Sequence, residues 1–198
     1  GLERSQTGGG SPFDDIITGV PVSDIFLVGD AVYASTADGI RVSFDNGANF
    51  TERKLPSATG LLSNNVLSIF VEDNIIYAGT DIGLCFSVDG GQTFSSVTSG
   101  LPDPAVRRIF VGANDRVYVG TSKGLALANE SLTKFTSVIA GLKDQYITSI
   151  SFNGTDLLLG TLQGVGKTTV NVSNVAMPVT ADATSSLCRY QAVVSDPV

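Results

Sequence analysis

The sequence predicts an all-β fold, a β-propeller of four-stranded antiparallel blades. Three observations carry that expectation. The first is an internal repeat of about forty residues, a period characteristic of propeller blades. Segments 32–40, 76–84, 117–125 and 157–165 each run from an apolar strand through a small residue and Thr to Gly and an apolar residue. Their threonines, Thr36, Thr80, Thr121 and Thr161, stand 44, 41 and 40 residues apart. The second is the alternation of short β-branched and aromatic runs with Gly, Asp and Asn, as antiparallel hairpins require. The third is composition. With 42% hydrophobic residues, 22 glycines and only 16% charged residues, the chain suits a packed β protein with many tight turns and not a disordered one. A single four-stranded unit cannot bury both of its faces, whereas several such units packed radially can.

The elements follow in chain order. Gly1-Leu2 aligns with Gly83-Leu84, so residues 1–20 are expected to supply only strands C and D of a half blade. Full blades are expected at 21–60, 61–102 and 103–144, a last blade at 145–179, and a closing or linking segment at 180–198. Each unit opens on an apolar pair: Val22 and Ile25, Val66 and Ile69, Val106 and Ile109, Ile147 and Ile150. The second blade shows the pattern best, with strands A to D near 66–71, 75–79, 84–88 and 93–98. The last unit has strands near 147–152, 157–159 and 165–170, and a candidate fourth at 175–179. Two short candidates remain, 187–190 and 192–194. If they pair with the N-terminal strands, the ring closes at about five blades; otherwise the chain belongs to a larger ring or is closed by another chain.

A second motif marks the C–D turns. Ser43-Phe44-Asp45-Asn46-Gly47-Ala48-Asn49-Phe50 aligns with Ser87-Val88-Asp89-Gly90-Gly91-Gln92-Thr93-Phe94. Residues 128–135 form a decayed third copy and residues 5–13 a stretched fourth. The pattern Ser-x-Asp-x-Gly-x-Thr-Phe resembles the Asp box, or BNR-like repeat, of sialidase-superfamily propellers. The Tyr-x-Gly-Thr-x-x-Gly-Leu before it is similar to blades of regulator-type propellers and of the photosystem II assembly-factor group. The resemblance covers about residues 1–170. It implies the fold and leaves function open, because Asp boxes occur in enzymes, sensors, sorting receptors and scaffolds. It also implies that the box lies away from the central site. Ser43, Asp45, Gly47, Phe50, Ser87, Asp89, Gly91, Thr93 and Phe94 are therefore expected to be structural. Their chemistry agrees: the Asp can accept turn N–H groups, the Gly can take positive φ, and the Phe can anchor the turn in apolar packing.

Catalytic constellations are harder to find. Histidine is absent, which removes the usual general base and the commonest metal ligand. The two cysteines, Cys85 and Cys188, are far apart and in no metal-binding spacing, so a disulfide and two free thiols both stay open. Sialidase chemistry would need three converging arginines, a Tyr and an acidic partner. The arginines sit mostly in mid-strand or in A–B turns and no Arg-Ile-Pro motif occurs, so that family's catalytic residues do not carry over. No catalytic residue, metal or cofactor is assigned. A net charge of −7 disfavours nucleic acid, and no apolar run is long enough for membrane insertion.

What remains is the rim formed by the D–A connections and B–C turns. Arg108, Lys143, Asp144 and Tyr146 are its candidate ligand-binding residues, and Asp103 with Asp144 is its evident acidic pair. The expected function is a non-enzymatic extracytoplasmic module for protein binding or for self-association through incomplete terminal blades. The alternative is a glycan-binding or glycoside-hydrolase-like propeller. Sequons at Asn49, Asn129, Asn153 and Asn171 are compatible with secretion, and the start at Gly1 suggests a mature or trimmed chain. The N-terminal half blade generates a prediction. Residues 1–18 are expected to pair with residues 185–197 or with a strand of a neighbouring chain. Deleting 1–18 should lower the melting temperature or cause aggregation; fast amide exchange throughout the segment, with unchanged melting after deletion, would refute this.

Overall fold

The computed structural model describes residues 1–5, 13–55, 58–112, 115–138, 142, 144–153 and 156–169. Cys188, Lys143 and the candidate strands at 175–179 and 187–194 lie outside the described residues. The described residues form 17 strands and no helix. Strands β1 (Leu2–Ser5) and β2 (Phe13–Ile17) make a two-stranded antiparallel hairpin. The first four-stranded sheet holds β3 (Val22–Val28), β4 (Ala31–Thr36), β5 (Gly39–Ser43) and β6 (Thr51–Arg53). The second holds β7 (Val66–Glu72), β8 (Ile75–Thr80), β9 (Gly83–Ser87) and β10 (Ser95–Val97). The third holds β11 (Arg108–Val111), β12 (Val117–Thr121), β13 (Gly124–Ala128) and β14 (Phe135–Val138). A last sheet contains β15 (Ile147–Asn153), β16 (Asp156–Thr161) and β17 (Gly164–Thr169). Within each sheet the strands lie side by side in chain order. The described sheets form a partial propeller that does not close into a ring.

The registers repeat as faithfully as the sequence does. Tyr33 pairs with Val42, Tyr77 with Phe86 and Tyr118 with Leu127. Strand A is interrupted near its start in every blade. The register slips between Val22 and Asp24, between Val66 and Ser68, and between Ile147 and Ser149. In the third blade the Arg107 N–H donates to the Gly120 carbonyl while Arg108 is paired with the same glycine. Two residues opposite one is a β-bulge, which bends the strand and re-aims a side chain.

Packing explains why the middle strands are so apolar. Tyr33, Ile40 and Val42 of the first blade meet Ile69, Ile76, Ala78 and Cys85 of the second. Tyr77, Leu84 and Val97 meet Val117, Val119, Ala126 and Phe135 of the third. Tyr118 and Leu125 meet Ile147, Leu157 and Leu159 of the last. A phenylalanine ladder crosses the inner strands: ring centroids lie 4.6 Å apart for Phe26 and Phe70, 6.0 Å for Phe70 and Phe110, and 6.3 Å for Phe110 and Phe152. Such tilted, edge-on and offset contacts suit aromatic quadrupoles.

Three kinds of hydrogen bond join neighbouring blades. On strand A, Asp24 Oδ2 accepts from the Ile69 N–H (3.2 Å), Ser68 Oγ donates to the Val106 carbonyl (3.1 Å), and Arg108 Nε donates to the Thr148 carbonyl (2.6 Å). Farther out, an arginine donates to a C–D turn carbonyl of the following blade, Arg4 to Asn46 (2.8 Å) and Arg53 to Gly90 (3.0 Å). Arg4 thus docks the N-terminal hairpin on the first blade. Finally, two D–A connections accept an N–H from the start of the outer strand ahead: Phe94 donates to Thr59 O (2.7 Å) and Phe135 to Ser99 O (2.8 Å).

The last contact demands glycine beside it. Gly100 sits at φ +80°, and a Cβ there would collide with the Phe135 carbonyl oxygen. Gly100→Ala should therefore cost at least the ~1–2 kcal/mol of a left-handed alanine. Phe135, 1% exposed, should cost about 3–5 kcal/mol when cut to Ala. Denaturant unfolding checks both; a variant within error of the parent would show that the blade contact is not formed in solution.

Candidate functional site

The repeated polar residues are the natural place to look for chemistry, and the structure uses them as joints. Thr36, Thr80 and Thr121 are wholly buried. Each donates to the carbonyl of the glycine three residues on, at 2.8 Å, and Thr161 does the same at 3.0 Å. Each hydroxyl also accepts the N–H two residues ahead, that of Asp38, Ile82, Lys123 or Gln163. One hydroxyl therefore closes each B–C turn from both sides.

The C–D turns consume their carboxylates in the same way. Asp45 Oδ1 accepts from the Ser43 hydroxyl (2.6 Å) and the Asn49 N–H (2.8 Å), and Oδ2 accepts from the Asn49 side-chain amide (2.7 Å). Asp89 Oδ1 accepts from the Ser87 hydroxyl (2.8 Å) and the N–H groups of Gln92 (3.0 Å) and Thr93 (2.9 Å); the Thr93 hydroxyl meets Oδ2 at 2.6 Å. Ser43 and Ser87 in turn accept the N–H of Gly47 and Gly91. Both glycines take positive φ, 81° and 84°. Phe94 is buried and Phe50 is half-buried.

These bonds favour the charged carboxylates. The Ser43 hydroxyl, followed by the Asn49 amide groups, holds Asp45 down to about 2. Thr93, through side chain and backbone, and then Ser87 hold Asp89 down to about 2. The decayed third turn keeps the geometry with a different residue. Its acceptor is Asn129, whose Oδ1 takes the N–H of Thr133 (2.8 Å) and Lys134 (3.0 Å). Aligning 128–135 with the other copies sets Glu130 in the carboxylate place; the turn instead begins one residue earlier, at Asn129.

The rim holds the polar groups that remain. On the first blade Lys54 Nζ lies 2.7 Å from Asp38 and 3.1 Å from Glu52, and the buried Arg41 reaches Glu52 at 3.0 Å. The Lys54 side chain, ahead of Arg41, holds Asp38 below the usual carboxylate range. On the third blade Lys123 Nζ meets Asp103 Oδ2 at 3.2 Å, and Asp103 Oδ1 accepts the Ala105 N–H. One turn later Asp144 Oδ1 accepts the Tyr146 N–H at 3.0 Å. Asp103 and Asp144 thus cap equivalent D–A connections in successive blades.

The candidate ligand residues separate in the structure. Asp144 and Tyr146 share one turn, while Arg108 turns toward Thr148 as a link between blades. It is Arg107, unremarked in the sequence, whose guanidinium carbon lies 5.6 Å from the centre of the Tyr146 ring. The signal for Arg107 was the bulge, which single-strand alternation does not reveal.

No protein-family model matches the chain, and no curated protein matches it either. Solved structures do match. The extracellular domain of BT3049 from B. thetaiotaomicron, a protein named for a hybrid two component system, is similar at TM-score 0.64 and 18% identity, over 76% of this chain and 23% of that one. The corresponding domain of BT4673 from the same organism is similar at TM-score 0.63 and 23% identity, over 78% and 22%. An ancestral GH74 enzyme is similar at TM-score 0.60 and 19% identity, over 77% and 23%. The fold is that of a β-propeller. The chain spans less than a quarter of each of these three proteins, and at these identities the likeness is one of fold.

Acid should loosen the C–D turns. Asp45 and Asp89 titrate near 2 when folded against an ordinary 3.8. Stability from a lowered carboxylate is present above the ordinary value and is lost as pH falls through the folded one. The melting temperature should therefore fall from about pH 5 to about pH 2, and less steeply in an Asp45→Asn, Asp89→Asn double variant. At neutral pH, Asp89→Ala should melt earlier than the parent. An unchanged acid profile in the double variant would contradict the assignment.

Proposed function

We propose that the chain is a non-enzymatic extracytoplasmic propeller module that binds protein or self-associates, and that its C–D turns are Asp boxes. The observation that carries this is the commitment of the repeated polar residues. Asp45 and Asp89, the most prominent carboxylates of the sequence, spend both oxygens on their own turns. Asp103 and Asp144, the evident acidic pair of the rim, are engaged by backbone N–H groups. The rim is the surface proposed for a partner, and the terminal blades, which begin with the hairpin β1–β2 and end among the described residues with β15–β17, are the proposed place of self-association. The solved propellers of similar fold include two extracellular domains, which supports an extracytoplasmic setting. A second proposal, a glycan-binding or glycoside-hydrolase-like propeller, is favoured by the likeness to the GH74 enzyme and by the aromatic Tyr146 on the rim.

The two are separated by presenting the purified chain to an immobilised array of random-sequence peptides and to an oligosaccharide array, with light scattering for mass. Saturable peptide binding or a defined oligomer, without cleavage of sugars, is the expected result. Binding or hydrolysis confined to oligosaccharides would favour the second proposal, and a monomer inert toward every peptide would contradict the first.

A further inference from the structure

A repeat scaffold makes departures from the repeat informative, because equivalent positions carry the same structural demand. At the strand A bulge the successive residues are Ser23-Asp24, Leu67-Ser68, Arg107-Arg108 and Thr148-Ser149. Only the third blade places two cations there. The bulge sets both residues opposite Gly120, and Arg107 Nε is buried there without a hydrogen-bond partner among the described residues. Arg107 is half-buried and Arg108 exposed.

Neither arginine forms an ion pair among the described residues. This occurs in a chain of 19 acidic and 12 basic residues, where counter-charges are plentiful. The carboxylates of the neighbouring turns do not pair with them: Asp103 is held by Lys123 and the Ala105 N–H, Asp144 Oδ1 accepts the Tyr146 N–H and Asp81 Oδ2 the Asn65 amide, while Asp144 Oδ2 and Asp81 Oδ1 are buried without a hydrogen-bond partner among the described residues. Arg108 spends Nε on Thr148 O and one terminal nitrogen on Arg107 O, both at 2.6 Å, which fixes its plane. Arg107 is fixed differently, by lying over the Tyr146 ring. A guanidinium held in place and lacking a carboxylate is prepared for one, since its planar donors match a carboxylate in a two-bond fork and little freedom is left to lose.

We propose that Arg107 and Arg108, with Tyr146 beside them, form the contact point for an acidic side chain of a partner polypeptide. This rests on the protein-binding function proposed above and names the chemistry of the partner. Arg107 is the residue to test, because Arg108 also joins two blades.

The test uses the whole chain and a fluorescein-labelled peptide of alternating Glu and Gly, read by fluorescence anisotropy at low salt. The Glu peptide should bind, its Gln counterpart should bind at least tenfold more weakly, and added salt should weaken the first. Arg107→Ala should reduce affinity for the Glu peptide at least tenfold with an unchanged melting curve, whereas Tyr146→Phe, which keeps the ring, should retain it. If Arg107→Ala melts early, Arg107→Gln provides the same comparison with the stem preserved. Failure of the Glu peptide to bind, equal binding of the Glu and Gln peptides, or affinity unaffected by either Arg107 variant would overturn the proposal. So would Arg107-dependent capture of sialyllactose in place of the peptide, which would assign the site to a glycan acid. Arrayed peptides that still bind after Arg107→Ala would remove this site and leave the protein-binding function standing; a chain inert toward all of them would remove both.

Discussion

A blade of this protein has two apolar faces and no means of covering either by itself. That constraint governs the rest of the structure. Strands β4, β8 and β12 are buried almost from end to end, because each is sandwiched within its sheet and between sheets. The tyrosine near the middle of each strand packs toward the following blade, and the aliphatic residues of that blade receive it. Burial of this kind is worth roughly 25 cal/mol for each Å² of apolar surface. It is realised only when blades stack at a fixed spacing and rotation. The polar repeats then follow as spacing devices. Buried threonines close the B–C turns, carboxylates or Asn129 close the C–D turns, and strand A reaches across to the next blade through Asp24, Ser68 or Arg108.

This division of labour explains what was legible in the sequence. Positions under the stacking constraint recur every forty or so residues, so the all-β propeller fold and the hydrogen-bonding roles of Asp45 and Asp89 could be read from spacing and residue type. Less legible were features that depend on register. The phenylalanine ladder needs Phe152, which falls one place beyond the alignment of Phe26, Phe70 and Phe110. The third C–D turn starts at Asn129, since an Asn oxygen can accept the same N–H groups once the turn lengthens after it.

The rim was the hardest to anticipate. Strict alternation along strand A would place Arg107 and Arg108 on opposite sides, one inward and one outward. The bulge removes that alternation, and it leaves no signature in a single strand beyond a pair of residues that both look misplaced. Arg108, selected as a polar rim residue, proves to reach the neighbouring blade, and the ring of Tyr146 finds Arg107 instead. The pattern is general to repeat architectures: the repeated residues build, and the unrepeated ones are free to recognise.

The central claim is that neighbouring blades are stable only together. Native-state amide hydrogen exchange on β8 and β12, the second strands of adjacent blades, tests it most directly. If the shared core between Tyr77 and Val119 holds both sheets, their slowest amides should exchange with the same opening free energy, equal to that of global unfolding. Exchange of one strand through a much cheaper opening, with the other still protected, would show that a blade stands without its neighbour and would contradict the account.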